Sequence, residues 1–176
     1  MIIDKEIISK IPRDYLFISG VVDIDADYFK KRIDEGVKNS KLNYKTSVQG
    51  RQTDWKFFNQ DRNFGLFLLK LNDYLSELHV ELRKYHLFDA WGLIEKFGEF
   101  TVKHSHDPAY LSGVLYINDH HQKLYFPDIK QEVTPQKGRF DLFSPFLSHH
   151  TKRNYQDLAK YAVSFNFVVE TVGGTI

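Results

Sequence analysis

The chain has 176 residues, 42% hydrophobic and 27% charged, which are ordinary values for one globular domain with its own core. Its 24 Lys and Arg against 23 Asp and Glu leave a net charge of +1, too weak a field to steer nucleic acid or an anionic membrane. With neither a leader pattern nor a run of about 18 apolar residues, a soluble, cytoplasmic protein without membrane or nucleic-acid partners is expected. The absence of cysteine excludes disulfides, thiolate nucleophiles, iron–sulfur clusters and cysteine-ligated zinc, so any metal must be held by nitrogen and oxygen ligands.

No repeat, low-complexity tract or long Pro/Gly/Ser linker interrupts the chain. A single domain over 1–176 is expected, with helical support over about 1–87 and a β-rich core over about 88–170. Residues 16–22 read as a short strand. Asp23 or Asp25 is placed to cap a helix over 27–38, whose buried stripe is Tyr28, Phe29, Ile33 and Val37. After a polar loop containing Trp55, residues 62–84 form the clearest helix. There Phe67, Leu68, Leu71, Leu75, Leu78 and Leu82 recur at steps of three and four, with His79 and His86 as surface histidines. From residue 88 the texture changes to short apolar or alternating runs at 90–94, 99–103, 111–117, 123–126, 139–143 and 160–169. This spacing predicts an antiparallel sandwich or barrel, and helices followed by strands predict an α+β fold with the helices on one side of the sheet.

Six of the eight histidines fall in the β-rich part, as His104 and His106, His120 and His121, and His149 and His150. On an extended strand, residues i and i+2 project from one face about 7 Å apart, so His104 and His106 can converge on one ion if a neighbouring strand supplies a third ligand. The structural alternative is a pair of surface or hydrogen-bonded histidines. His120 and His121 sit in a polar turn, Asn118 to Lys123, and read as a solvated loop. Of His149 and His150, alternation lets only one face a given metal.

The segment GEFTVKHSH at 98–106, followed by LSGVLYI at 111–117, resembles the iron(II)/2-oxoglutarate-dependent oxygenases, in particular the small prolyl-hydroxylase-like branch. LFSPFLSH at 142–149 is similar to that branch's segment carrying the distal metal histidine, and KYAVSFN at 160–166 to its closing strand. The resemblance covers about 88–169, with three motifs in the family's order. It implies a double-stranded β-helix, a jelly-roll or cupin-like barrel, and a hydroxylase that uses Fe(II), 2-oxoglutarate and O2. It makes His104 the first metal ligand and His149 the distal one, leaving His150 towards solvent or behind the ligands. The family's usual carboxylate, two residues after the first histidine, is here His106. Three arrangements remain: an all-nitrogen triad of His104, His106 and His149; Asp107 replacing His106 through a bulge; or two histidines completed by water. Alternation favours the first. Imidazole ligands suit iron, zinc and nickel alike.

The family also carries a basic residue about ten positions after the distal histidine, for the far carboxylate of the cosubstrate. Lys160 falls there, where arginine is more usual, and offers a point charge instead of a bidentate fork. Independently, Lys160, Ala162, Ser164 and Asn166 form one face of the last strand and Tyr161, Val163, Phe165 and Phe167 the other. The polar face looks either to water or into the barrel; in the second case Ser164 is a hydroxyl donor beside Lys160. Ala162 replaces a serine of the family pattern, and Arg153 is the fallback cation. Tyr116 either hydrogen-bonds the cosubstrate or fills the core. Trp91 and Phe100 read as core aromatics, and Gly113 as a site of close strand packing. The substrate is unidentified, with a protein or peptide side chain the first expectation by analogy. Two rivals stand beside this reading: a cupin-like metalloenzyme that uses no 2-oxoglutarate, and a catalytically inactive β-helix serving as a binding or scaffold module.

Overall fold

The computed structural model describes residues 14–42, 44, 46–78 and 85–169. Among these residues two helices, α1 (Ala26–Lys38) and α2 (Arg62–Glu77), accompany nine strands: β1 (Phe17–Val21), β2 (Arg51–Gln52), β3 (Tyr85–Glu95), β4 (Leu111–Tyr116), β5 (Leu124–Phe126), β6 (Gln131–Val133), β7 (Arg139–Phe143), β8 (His150–Thr151) and β9 (Lys160–Val169). The strands form a six-stranded sheet in the order β1-β7-β4-β9-β3-β2 and a three-stranded sheet in the order β6-β5-β8, with every pairing antiparallel. This is the α+β layout expected from the order of helical and alternating segments.

Each helix starts where an aspartate satisfies free backbone N–H groups. Asp25 accepts from the Tyr28 amide at 3.0 Å, and Asp61 accepts from Asn63 and Phe64, both at 3.0 Å. Asp61 also joins the two helices, because Tyr28 donates to its second oxygen at 2.7 Å and Arg32 Nε does so at 3.3 Å. Phe29 and Ile33 of α1, with Phe64, Phe67, Leu71 and Leu75 of α2, pack on Ala90, Ile94, Leu115, Leu142, Val163 and Phe165 of the large sheet. Gly92 permits this approach, since a Cβ there would stand 2.6 Å from Ile33. Gly113 likewise makes room for the Phe165 ring, which a Cβ would meet at 2.4 Å.

Period-two alternation then decides the location of the site. On β9, Val163, Phe165 and Phe167 join the helix-side core, while Lys160, Ala162, Ser164 and Asn166 face the opposite way into a cavity between the two sheets. The same parity sends Trp91 and Leu93 of β3, Val114 and Tyr116 of β4 and Phe143 of β7 to the cavity side.

Three expectations about the secondary-structure elements differ from the structure. The helix read over 62–84 ends at Glu77; residues 79–84, with His79 and Leu82, lie outside the described residues, and Leu78 is exposed. His86 is no helical residue: it lies in β3 opposite Val168, because pairing with the long β9 recruits this segment into the sheet. Residues 99–103 form no strand. Their backbone groups are divided among different partners: Phe100 with Gln49, Val102 with Ser47, and Thr101 with the Thr151 hydroxyl. Only isolated bridges remain, Val48 with Thr101 and His104 with His149. Among the described residues, no helix is long and apolar enough to cross a membrane.

Candidate metal centre

His104 and His149 lie on separate stretches that meet in one bridge, with the His104 amide donating to the His149 carbonyl at 3.1 Å and the His149 amide returning the bond at 2.9 Å. His106 follows in a turn whose amide donates to Pro145 at 2.8 Å. Ring nitrogens of all three histidines lie within 4.8 Å of one another. Asp107 is exposed and outside this cluster, so the turn presents His106.

The tautomers follow from the hydrogen bonds. His104 Nδ1 meets the Val102 carbonyl at 2.8 Å and His149 Nδ1 meets the Leu147 carbonyl at 3.1 Å. A carbonyl only accepts, so both Nδ1 atoms carry the proton and both Nε2 atoms keep a lone pair. His106 Nε2 stands 3.2 Å from His149 Nε2. Two nitrogens bound to one ion at about 2.1 Å, at right angles, are about 3.0 Å apart, so this spacing suits neighbouring ligand positions. The walls are apolar: Trp91 stacks on His106 at 5.9 Å, and Phe143 and Phe126 flank His149 at 4.9 and 5.4 Å. Burial, reinforced by the His104 ring, pushes His106 down to about 3. It also lowers His104 and holds His149 well below its ordinary value. Neutral imidazoles with free lone pairs are the form a divalent metal binds.

The histidines open onto a cavity of about 310 Å³ whose lining includes Gln52, Trp91, Tyr116, Lys160, Ser164 and Asn166. Lys160 is buried, and its ammonium meets the Glu95 carboxylate, which is fully buried. The two residues are cross-strand partners on β3 and β9. The other Glu95 oxygen accepts from Thr101 at 2.8 Å and Thr151 at 2.9 Å. Glu95 was not anticipated from the sequence, where it ends an apolar run and looks like a solvated strand end. Ser164 is half-buried on the cavity wall. Tyr116 is fully buried; burial first, then the Asp141 carboxylate beside it, raises its phenol well above 10. Trp91 Nε1 and Gln52 Nε2 line the cavity as buried donors without a hydrogen-bond partner. A carbonyl or carboxylate oxygen inside the cavity would satisfy them.

The remaining candidates lie elsewhere. His150 turns away from the cluster and stacks on Tyr125 at 5.4 Å. Arg153 is exposed, donates to the Gly98 carbonyl at 2.9 Å and covers Phe100. His120, read from the sequence as part of a solvated loop, is buried: its Nε2 donates to the Leu158 carbonyl at 2.9 Å and its Nδ1 accepts from the Gln122 amide at 2.9 Å. The turn folds inwards because this imidazole satisfies backbone groups that would otherwise be unpaired.

No family model and no curated protein matches the sequence. Solved structures do. The viral collagen prolyl hydroxylase vCPH of Paramecium bursaria Chlorella virus-1, solved with 2-oxoglutarate, superposes with a TM-score of 0.65 at 16% identity, over 88% of this chain and 96% of that one. A prolyl hydroxylase of Trichoplax adhaerens, in complex with a peptide fragment of hypoxia-inducible factor, gives 0.62 at 15% identity over 89% and 84%. HygX of Streptomyces hygroscopicus, with nickel and 2-oxoglutarate bound, gives 0.58 at 13% over 89% and 83%. These likenesses establish the double-stranded β-helix fold shared by prolyl hydroxylases and other 2-oxoglutarate-dependent oxygenases.

Proposed function

We propose that this protein is a metal-dependent oxygenase that uses Fe(II) and a 2-oxo acid, 2-oxoglutarate being the first to test, to hydroxylate an unidentified substrate. The observation that carries the reading is the convergence of three neutral imidazoles on a cavity that also holds Lys160 and unpartnered donors. The donor set fits an imidazole-bound divalent ion. His104, His106 and His149 would hold it, with the Val102 and Leu147 carbonyls fixing two of the rings.

When bound, the metal and the 2-oxo acid supply oxygen activation and C–H oxidation, chemistry that belongs to the cofactor. The chain supplies binding, orientation and dryness. Trp91 and Phe143 shield the ligand rings from water. Trp91 Nε1, Gln52 Nε2 and the Ser164 hydroxyl are donors for ligand oxygens, and Lys160, a cation on the cavity lining, would pair with a distal carboxylate. A protein or peptide side chain is the substrate class to test first, because the Trichoplax prolyl hydroxylase is seen with a peptide fragment.

The test is succinate release from 2-oxoglutarate with Fe(II) and O2. Wild type and His150→Ala should turn over; His149→Ala should not. A second reading, a cupin-like metalloenzyme without a 2-oxo acid, is favoured by the engagement of Lys160 with Glu95. Metal binding without succinate release from any 2-oxo acid would select it, and no stoichiometric metal would select an inactive scaffold.

A further inference from the structure

We infer that Glu95 sets which 2-oxo acids the cavity accepts, making it nearly indifferent to a charge on the tail of the ligand; this rests on the 2-oxo acid reading above. With the imidazoles neutral, Lys160 is the one charged group among the described residues that line the cavity. In isolation that ammonium would select a second carboxylate strongly. It is not isolated, because Glu95 pairs with it from behind, wholly shielded from solvent. Nor can Glu95 readily swing aside: Thr101 and Thr151 both donate to its other oxygen, and each lies within three residues of a cluster histidine. A distal carboxylate arriving at Lys160 therefore meets an ion pair. Attraction to the ammonium is opposed by repulsion from a fixed carboxylate one group further away, in surroundings that screen neither well.

The other groups around the ligand space are neutral. Trp91 Nε1 and Gln52 Nε2 are buried donors awaiting an acceptor, Ser164 is a hydroxyl, and Leu93, Val114 and Ala162 are apolar. Such a lining serves a carbonyl, a hydroxyl or an alkyl tail as well as a carboxylate. The ligand class is thus 2-oxo acids with uncharged tails alongside 2-oxoglutarate.

The experiment is calorimetric titration of Mn(II)-loaded protein with 2-oxoglutarate and with 2-oxopentanoate, which has the same chain length but lacks the second carboxylate. In wild type the two affinities should lie within about threefold of each other. Glu95→Gln frees the Lys160 charge and should tighten 2-oxoglutarate by about tenfold or more, with little change for 2-oxopentanoate. Because Glu95→Gln leaves a buried ammonium unpaired, the neutral double variant Glu95→Gln/Lys160→Met gives a second reading that survives a folding failure of the single variant. It should bind 2-oxoglutarate within about threefold of wild type, because removing both charges removes little net attraction. A wild-type preference for 2-oxoglutarate above about tenfold, unchanged in Glu95→Gln or abolished in the double variant, would overturn the inference and leave the oxygenase reading standing. Mn(II) binding with no affinity for either acid would overturn both.

Discussion

Glu95 and Lys160 face each other in register across β3 and β9 and form a buried ion pair, whose lysine lines the same cavity as the three histidines of the cluster. Glu95 also receives the Thr101 and Thr151 hydroxyls, and Thr101 and Thr151 are joined by the bond from the Thr151 amide to the Thr101 carbonyl at 3.1 Å. One carboxylate thus connects the candidate cosubstrate cation to both chain segments that carry the cluster.

The pair should behave as a unit in a double-mutant cycle. Glu95→Gln or Lys160→Met alone leaves a buried charge unmatched and should cost roughly 3–5 kcal/mol. The double variant should be much less destabilised than the sum, which chemical denaturation of all four proteins measures. Additive losses would show that the pair is not coupled.

Thr101→Val and Thr151→Val each remove one donor from the buried Glu95 oxygen, and each should cost about 1–3 kcal/mol. Because Thr151 stands beside the segment of His149, Thr151→Val should also weaken Mn(II) binding. Unchanged stability and unchanged metal affinity would remove Glu95 from the architecture of the site.

The geometry separates His106 from Asp107. His106→Ala should reduce Mn(II) affinity by at least about tenfold, the scale of losing an ordered ligand contact, while Asp107→Asn should leave it intact. The reverse pattern would mean that the turn rearranges to bring the carboxylate inwards.

His120 gives a pH signature outside the cluster. Burial lowers its pKa, opposed by the Leu158 carbonyl. The folded state therefore favours the neutral ring, and its contribution is complete above the unfolded value of about 6.5. As pH falls below that, unfolded chains take up the proton first, so the contribution declines until the lower folded value is passed. His120→Gln should be less stable than wild type at neutral pH by roughly 1–2 kcal/mol, for the two hydrogen bonds lost. The gap should narrow as pH falls below about 6.5. A gap that stays constant with pH would place His120 in solvent.

Much of this was legible in the sequence because alternation is a strong constraint. Alternation already set Lys160, Ser164 and Asn166 apart from the apolar face of β9, although only the structure turns that polar face to the cavity and not to water, and the apolar stripes of both helices marked their contact with the sheet. The two-residue strands Arg51–Gln52 and His150–Thr151 carry no readable period, since pairing with neighbours, not local composition, creates them. The role of Glu95 was hidden for a related reason. Whether a carboxylate at the end of an apolar run meets water or a lysine depends on the register with a distant strand, and local spacing does not encode that register. His120 was hidden because a polar turn gives no sign that one of its side chains will satisfy backbone groups in the interior.

The most direct measurement is X-ray absorption spectroscopy on the anaerobic Fe(II)-loaded protein, with iron quantified per chain. One iron with three imidazole nitrogens at about 2.1 Å in wild type, lost in His149→Ala and retained in His150→Ala, is the predicted result. Iron bound by fewer than three imidazoles, or held equally well by His149→Ala, would contradict a centre built from His104, His106 and His149.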